Sequence, residues 1–335
     1  MQAAVVKREI DDPAVRAHLA SASPYLFQQP EWGRVLASLG HAVAYYCLEE
    51  GGRIVLVQPA VAMRFGFFRL LYCGLPYGGP AGDLSRSEDL FTSLAQVARR
   101  KGFHRIRLSH NLYDGEPLPS GWKVQEHVQQ VLHFAGRSRE QVWEDFKGRV
   151  RRDVRLAERR GVLVEDAKDQ ASRDALFEMY HSTMARNETF DVWRREMIER
   201  MWDLLVAPGQ GEMLVARYQG QLLAGLATFY SGQQCFYFLG ASGGQMRNLC
   251  PSDALLWEAI RRAMNRGCQD FDFMISSRDD QQLIDFKAKW GAETHPFRFC
   301  ELDLRPLPCR LWDLAFRLVR TPLGGWLVRK LKRGA

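Results

Sequence analysis

Near the start of the chain, apolar residues recur in steps of three and four. Val15 and Leu19 follow Asp12-Pro13, and Trp32, Val35, Leu36 and Leu39 lie between Pro30 and Gly40. This spacing predicts two short amphipathic helices, the second stopped by Gly40. The pattern then turns strand-like over 42–48 and 54–61. Glu49-Glu50-Gly51-Gly52 between the runs reads as a hairpin turn. A third strand is expected at 67–73, a rigid loop at 75–80, a helix at 87–101 ending at Gly102, and a strand at 103–108.

Residues 138–160 read as one helix. Ser138 and Gln141 have the spacing of a capping box, and Gly161 is a stop. Val142, Phe146, Val150, Val154 and Ala157 mark its buried face, and the other face is rich in arginine. A short strand is expected at 162–165, then helices at 172–184 and 191–205. Strands follow at 212–218, 221–230 and 234–240. Pro251-Ser252-Asp253 opens a helix that ends at Gly267; a strand at 271–275, a helix at 281–290 and a last strand at 296–302 complete the order. Both halves therefore read helix, helix, three strands, helix, strand. The duplication rests on element order alone, because no residue-level repeat is visible.

Composition narrows the class. The 335 residues are 46% hydrophobic and 25% charged, as in ordinary globular proteins. No run of 18 apolar residues exists, so no membrane-spanning helix is expected, and the charged N-terminus is unlike a signal peptide. The seven cysteines form no CxxC and the eight histidines no HExxH, so neither a disulfide framework nor a metal site is expected, and a reducing, cytoplasmic setting is. Charge is unevenly placed. Residues 305–335 hold eight basic residues and one acidic, while the rest of the chain has 38 of each, so the whole net charge of +7 sits in the tail. That distribution is unlike a uniformly basic nucleic-acid-binding domain.

Several strings carry a family likeness: Pro30-Glu31-Trp32, the Gly79-Pro80 loop, the basic helix around 149–162, Tyr180 to Arg186, and above all Phe271-Asp272-Phe273 followed by Phe286-Lys287-Ala288-Lys289-Trp290-Gly291. Over residues 25–302 the chain resembles the FemAB-type and GNAT-like (CelD/BioF2-like) N-acyltransferases. The resemblance implies an α/β (α+β) fold of two tandem GNAT-like domains, each a mixed, mostly antiparallel sheet flanked by helices. The expected boundaries are an N-terminal domain at 1–137, a connecting basic helix at 138–161, a C-terminal domain at 162–304 and a basic amphipathic tail at 305–335. One departure stands out. Where GNAT relatives carry a glycine-rich pyrophosphate turn, this chain reads Gln245-Met246-Arg247-Asn248-Leu249-Cys250. The donor is therefore left open between acyl-CoA and aminoacyl-tRNA.

Acyl transfer to an amine needs a neutral, close amine, a polarised carbonyl and donors aimed at the oxyanion. No GxSxG or Cys-His pairing suggests a covalent intermediate. The resemblance implies that Lys287 acts in transition-state stabilisation; the plain alternative is a solvated helix charge behind a core Phe286. Arg247, before a helix N-terminus, is a candidate for the donor's phosphates, with Gln245 and Arg278 beside it in role. Ser277 and Asp279, at the end of an expected central strand, are candidate hydroxyl donor and base, or simple helix caps. Tyr77, Tyr180, Arg186 and Phe286 are read as the acceptor side, although packing explains a neighbour such as Trp193 equally well.

In the arginine-rich helix, tRNA contact competes with a solvated face carrying pairs such as Arg149 with Asp153. In the tail, Leu311, Trp312, Ala315, Phe316 and Val319 form an apolar stripe flanked by basic residues. Residues 308–333 are read either as a contact with an anionic membrane or as a helix docked on the body. The reading reached is an N-acyltransferase acting on an amine of a cell-envelope or polysaccharide precursor, cytoplasmic and peripheral at the inner face of the membrane. The alternatives are a degenerate ligand-binding protein at that surface and a polyanion- or tRNA-binding accessory.

Overall fold

The computed structural model describes residues 4–23, 25–109, 118–186 and 194–319, the side chains of 186 and 319 excepted. Contacts divide the chain into two units that are not contiguous in sequence. The first holds residues 1–22, 41–125 and 299–335; the second holds 23–40 and 126–298.

In the first unit, β1 (Ala4–Arg8) and α1 (Pro13–Ala22) precede a meander of β2 (Ala42–Glu50), β3 (Arg53–Phe65) and β4 (Phe68–Cys73). The β2–β3 turn places Gly51 and Gly52 at φ 59° and 76°, a region where a Cβ is costly. After β5 (Ala81–Gly82), α3 (Ser87–Arg100) leads to β6 (Arg105–Ser109), which pairs parallel with β4. The later half of β13 (Glu293–Asp303) lies antiparallel to β6, and α10 (Pro306–Val319) follows it. Leu90, Phe91 and Leu94 of α3 close a core over Leu48, Leu71 and Ile106.

The second unit begins with an early segment. α2 (Pro30–Ala37) and the turn before it carry Phe27 and Trp32, whose rings contact Phe236 and Phe238 respectively (centroids 4.9 and 5.2 Å). β7 (Lys123–His133) enters this unit, followed by α4 (Arg139–Asp145) and α5 (Gly148–Arg160). The expected capping box is present: Ser138 Oγ accepts from the Gln141 amide (3.3 Å) and Gln141 Oε1 from the Ser138 amide (2.8 Å). The expected single helix, however, is broken at Phe146 and Lys147, both extended. The Lys147 N–H bonds the Lys289 carbonyl at 3.0 Å, a partner outside the helix. The five expected apolar positions are all buried: Val142 on α4, Phe146 at the break, and Val150, Val154 and Ala157 on α5.

β8 (Leu163–Asp166), α6 (Gln170–Arg186) and α7 (Arg195–Met201), the last continued by a π turn, precede β9 (Gly211–Tyr218), β10 (Gln221–Ser231) and β11 (Gln234–Ser242). Then come α8 (Pro251–Asn265), β12 (Asp270–Ser276) and α9 (Gln281–Ala288). The strand order is β7-β12-β11-β10-β9-β8, antiparallel except for β11 with β12. The sequence pattern missed β1 and β7. β7 carries Gln129 and Gln130, both fully buried, so its polar composition hides a core strand.

Candidate active site

β11 and β12 pair only through Gln234–Phe236 and Asp270–Asp272. Beyond that, β11 runs on to Ser242 hydrogen-bonded to β10. Along this stretch of β11 lies a cleft of about 250 Å³, lined by Thr183, Tyr237, Ser242, Arg247, Ser252 and Phe286 among others. A strand edge without its neighbour offers N–H and C=O groups to a ligand.

The cleft ends at the turn before α8. Here the backbone makes a glycine-like path without the glycines. Met246 has φ 48° and Cys250 φ 53°, with the 3-10 turn Arg247–Leu249 between them. Left-handed backbone costs a non-glycine residue about 1–2 kcal/mol. Pro251 then occupies the first helical turn, where its missing N–H is harmless. Asp253 in that turn is paired with Lys289 at 2.9 Å, so its negative charge is compensated. Among the described residues no ion pair holds the exposed Arg247. The helix start and a free guanidinium together form an anion-binding corner.

Behind the cleft lies a buried polar network. β12 has a bulge between Asp272 and Ile275, with Met274 at φ 64°. Asp272, fully buried, accepts from the Met274 amide at 2.7 Å and from the Gln129 side chain. Lys287 is only 3% exposed. Its Nζ donates to the Met274 carbonyl (2.9 Å), the Ile275 carbonyl (3.3 Å) and Ser276 Oγ (2.7 Å). Ser276 in turn donates to Gln130 Oε1 at 2.8 Å. Burial lowers the Lys287 pKa to about 7, against the pull of Asp272 and Asp280. Phe286, next to it on α9, faces the cleft and carries the Lys289 ammonium over its ring at 4.6 Å.

The remaining candidates are spread out. Ser277, Arg278 and Asp279 are exposed on the turn after β12, and Arg278 pairs with Glu126 at 2.8 Å. The cap of α9 is Asp280, whose carboxylate accepts from the Leu283 amide at 3.0 Å. Gln245 is exposed and bonded to Gln221 at 2.6 Å. Tyr180 is buried in α6. Tyr77 is buried in the other unit, in the loop that contains the cis Leu75–Pro76 bond. The Arg186 side chain and Trp193 lie outside the described residues. The structure thus brings Arg247 and Phe286 to one cleft and places Lys287 just behind it. Sequence reading missed Thr183, Tyr237 and Ser252. The Gln129–Asp272 pair was also missed, although a carboxylate between two phenylalanines in a strand is a visible signal.

Among the described residues two clusters have metal-ligand composition. Asp153, Cys250 and Asp253 meet, but Arg149 and Lys289 already face the carboxylates. Burial and the two carboxylates hold the Cys250 thiol above its usual range, which disfavours a thiolate ligand. His133, Glu293 and His295 also converge, with His133 Nδ1 on Asp270 (2.7 Å) and Nε2 on His295 Nε2 (3.0 Å).

Residues 144–288 match the family model of an acetyltransferase (GNAT) domain. The fold is similar to that of FemX, with 16% identity over 88% of this chain and 96% of that one and a TM-score of 0.68. It is similar to L-PGS from Bacillus licheniformis (13% identity, 90% and 95% covered, TM-score 0.59). A tandem GNAT protein from the clavulanic acid biosynthesis pathway is also similar (10% identity, 90% and 99% covered, TM-score 0.58). No curated protein sequence matches the chain.

Proposed function

We propose that the chain is a FemAB-like acyltransferase of the GNAT superfamily that transfers an acyl or aminoacyl group directly to an amine of a cell-envelope precursor, a reading supported by the GNAT-domain match over residues 144–288 and by the fold shared with FemX and a tandem GNAT protein. The observation that carries the reading is the cleft along the part of β11 that is not paired with β12, ending on Arg247 and the start of α8. An acyl-CoA-type donor fits this shape. Arg247 and the first turn of α8 would hold its phosphates, the free edge of β11 its amide groups, and Tyr237 and Phe286 its apolar part. Such a donor supplies an activated carbonyl. An aminoacyl-tRNA presents the same chemistry, an acyl carbon beside phosphate, and is the second donor class.

Direct attack is supported by the cysteines: six are buried, and the half-buried Cys250 has its thiol pKa raised. Ser277 and Asp279, exposed on the turn leaving β12, are the groups proposed to donate to the oxyanion and to accept the amine proton. Lys287 acts through the strand. Its ammonium fixes the carbonyls of the β12 bulge and so positions that turn. A lipid-linked amine, met at the anionic inner face of a membrane, is the acceptor class proposed.

Native mass spectrometry of the purified chain with acetyl-CoA, and separately with charged tRNA, tests this. One donor should bind and pass its acyl group to an amine, and Arg247→Ala should weaken that binding. Absence of binding and transfer with both donors would overturn the reading.

A further inference from the structure

α10 presents two faces of opposite character. On one side Cys309 is buried, Trp312 stacks on Phe68 (centroids 4.9 Å, planes 7° apart), and Asp313 accepts two hydrogen bonds from Arg105 (2.9 and 2.8 Å). These contacts fix the helix on the first unit. On the other side Leu307, Leu311, Leu314 and Leu318 are 69, 52, 57 and 57% exposed. Their spacing of four, three and four residues, at about 100° per residue, sets them in one narrow stripe opposite Trp312. Four exposed leucines in line are not the scattered surface apolar residues of ordinary proteins. The adjoining β3–β4 hairpin adds exposed Phe65 and Phe67, with the Phe65 ring 5.3 Å from Trp312.

Charge distinguishes the occupants. Arg310 and Arg317 lie along one margin of the stripe, and the residues after 319, outside the described ones, add five basic groups and no acidic one. A second copy set on this face would bring two Arg310–Arg317 margins together. An anionic bilayer would neutralise them and cover the leucines at once. No helix among the described residues is long and apolar enough to cross a membrane, so the geometry available is one parallel to the surface.

We propose that the leucine stripe of α10 is an anionic-membrane contact surface, with the helix lying in the headgroup boundary and Arg310 and Arg317 on lipid phosphates. The proposal deepens the reading above, since it rests on an acceptor held at a membrane. Trp312 and Asp313 serve as the fixed mount, so both docking on the body and a membrane contact belong to the same helix, on opposite faces.

Co-sedimentation of the full chain with vesicles tests it, comparing phosphatidylcholine alone with phosphatidylcholine mixed with phosphatidylglycerol. The expected result is binding to the mixed vesicles only, weakened by salt. Leu311→Glu with Leu314→Glu should reduce it at least about tenfold at unchanged circular dichroism and Tm. Equal binding to both vesicles, undiminished binding by the double variant, or a lipid-free dimer that the double variant dissociates would overturn the proposal. Transfer to a soluble amine, measured on the same samples, separates the two readings. Loss of vesicle binding with transfer retained removes the surface alone, and loss of transfer with vesicle binding retained removes the chemistry alone.

Discussion

The two units repeat an element order but treat the same positions differently. In the first, β4 pairs with β6 up to its last residue, Cys73 with Leu108, so the parallel pair stays closed. In the second, β11 and β12 pair over only three residues, and a cleft lies along the rest of β11. The turn before the following helix differs as well. Arg86, before α3, is tied to Glu50 and Asp89 at 2.9 and 2.7 Å, and the first turn of α3 is acidic. Arg247, before α8, lines the cleft, and the acid of that first turn is neutralised by Lys289. A repeated topology therefore does not repeat a site. What differs is which cation the carboxylates beside the helix start take up: at α3 it is the turn's own Arg86, whereas at α8 Asp253 takes Lys289 and no ion pair among the described residues holds Arg247. The buried cations differ in the same sense. Arg105 lies among Glu301, Asp303 and Asp313, a structural ion cluster, whereas Lys287 rests on two carbonyls and a hydroxyl.

The largest expected effect is in the first unit. Arg105→Ala should destabilise it by about 3–5 kcal/mol, because three carboxylates lose their shared cation; chemical denaturation measures the change, and a loss below about 1 kcal/mol would mean the cluster is spectator charge.

Lys287→Met should change the pH dependence of stability. With a folded pKa of about 7 against 10.5 in the unfolded chain, the unfolded form holds the proton between those values and the folded form does not. Stability of the wild type thus rises with pH from about 7 to 10.5, by up to ~1.4 kcal/mol per unit, and is flat below. Urea midpoints at several pH values should show this rise in the wild type and lose it in the variant. Persistence of the rise in the variant would assign it to other groups.

Arg247→Ala should weaken donor binding about 10- to 100-fold, the worth of a charge-assisted contact, while Arg86→Ala should leave it unchanged. Isothermal titration with both variants tests the contrast between the two turns directly; equal losses would erase it.

The smallest effect is expected for Met246→Gly. Relief of the left-handed backbone should stabilise the chain by roughly 1 kcal/mol, read as a small rise in Tm. A fall would show that the methionine side chain contributes more than its backbone costs.

Helix faces and stops are legible in the amino-acid order. Val142 through Ala157, the Ser138 cap and the glycine ends all follow from spacing and turn chemistry. Lys287, Phe286 and Arg247 are legible as well, through the family strings and the place of a helix start. Their environments are not. Nothing in Phe286-Lys287 says that one side chain meets the cleft and the next the carbonyls of a bulge. Nor does the missing glycine pattern at 245–250 say that Met246 and Cys250 adopt the glycine conformation anyway.

Local sequence determined what local physics controls: periodicity, capping, and a net charge gathered in the tail. Tertiary structure decided the rest, because it depends on partners distant in the chain. It placed Phe27 and Trp32 against rings of β11, far along the sequence. It also turned the polar run of β7 into a buried strand, since Gln129 and Gln130 find Asp272 and Ser276. And it broke the 138–160 helix because the Lys147 amide finds a carbonyl on another element. Hydrogen-bonding groups taken out of water must be satisfied somewhere, and where they are satisfied is a property of the whole fold.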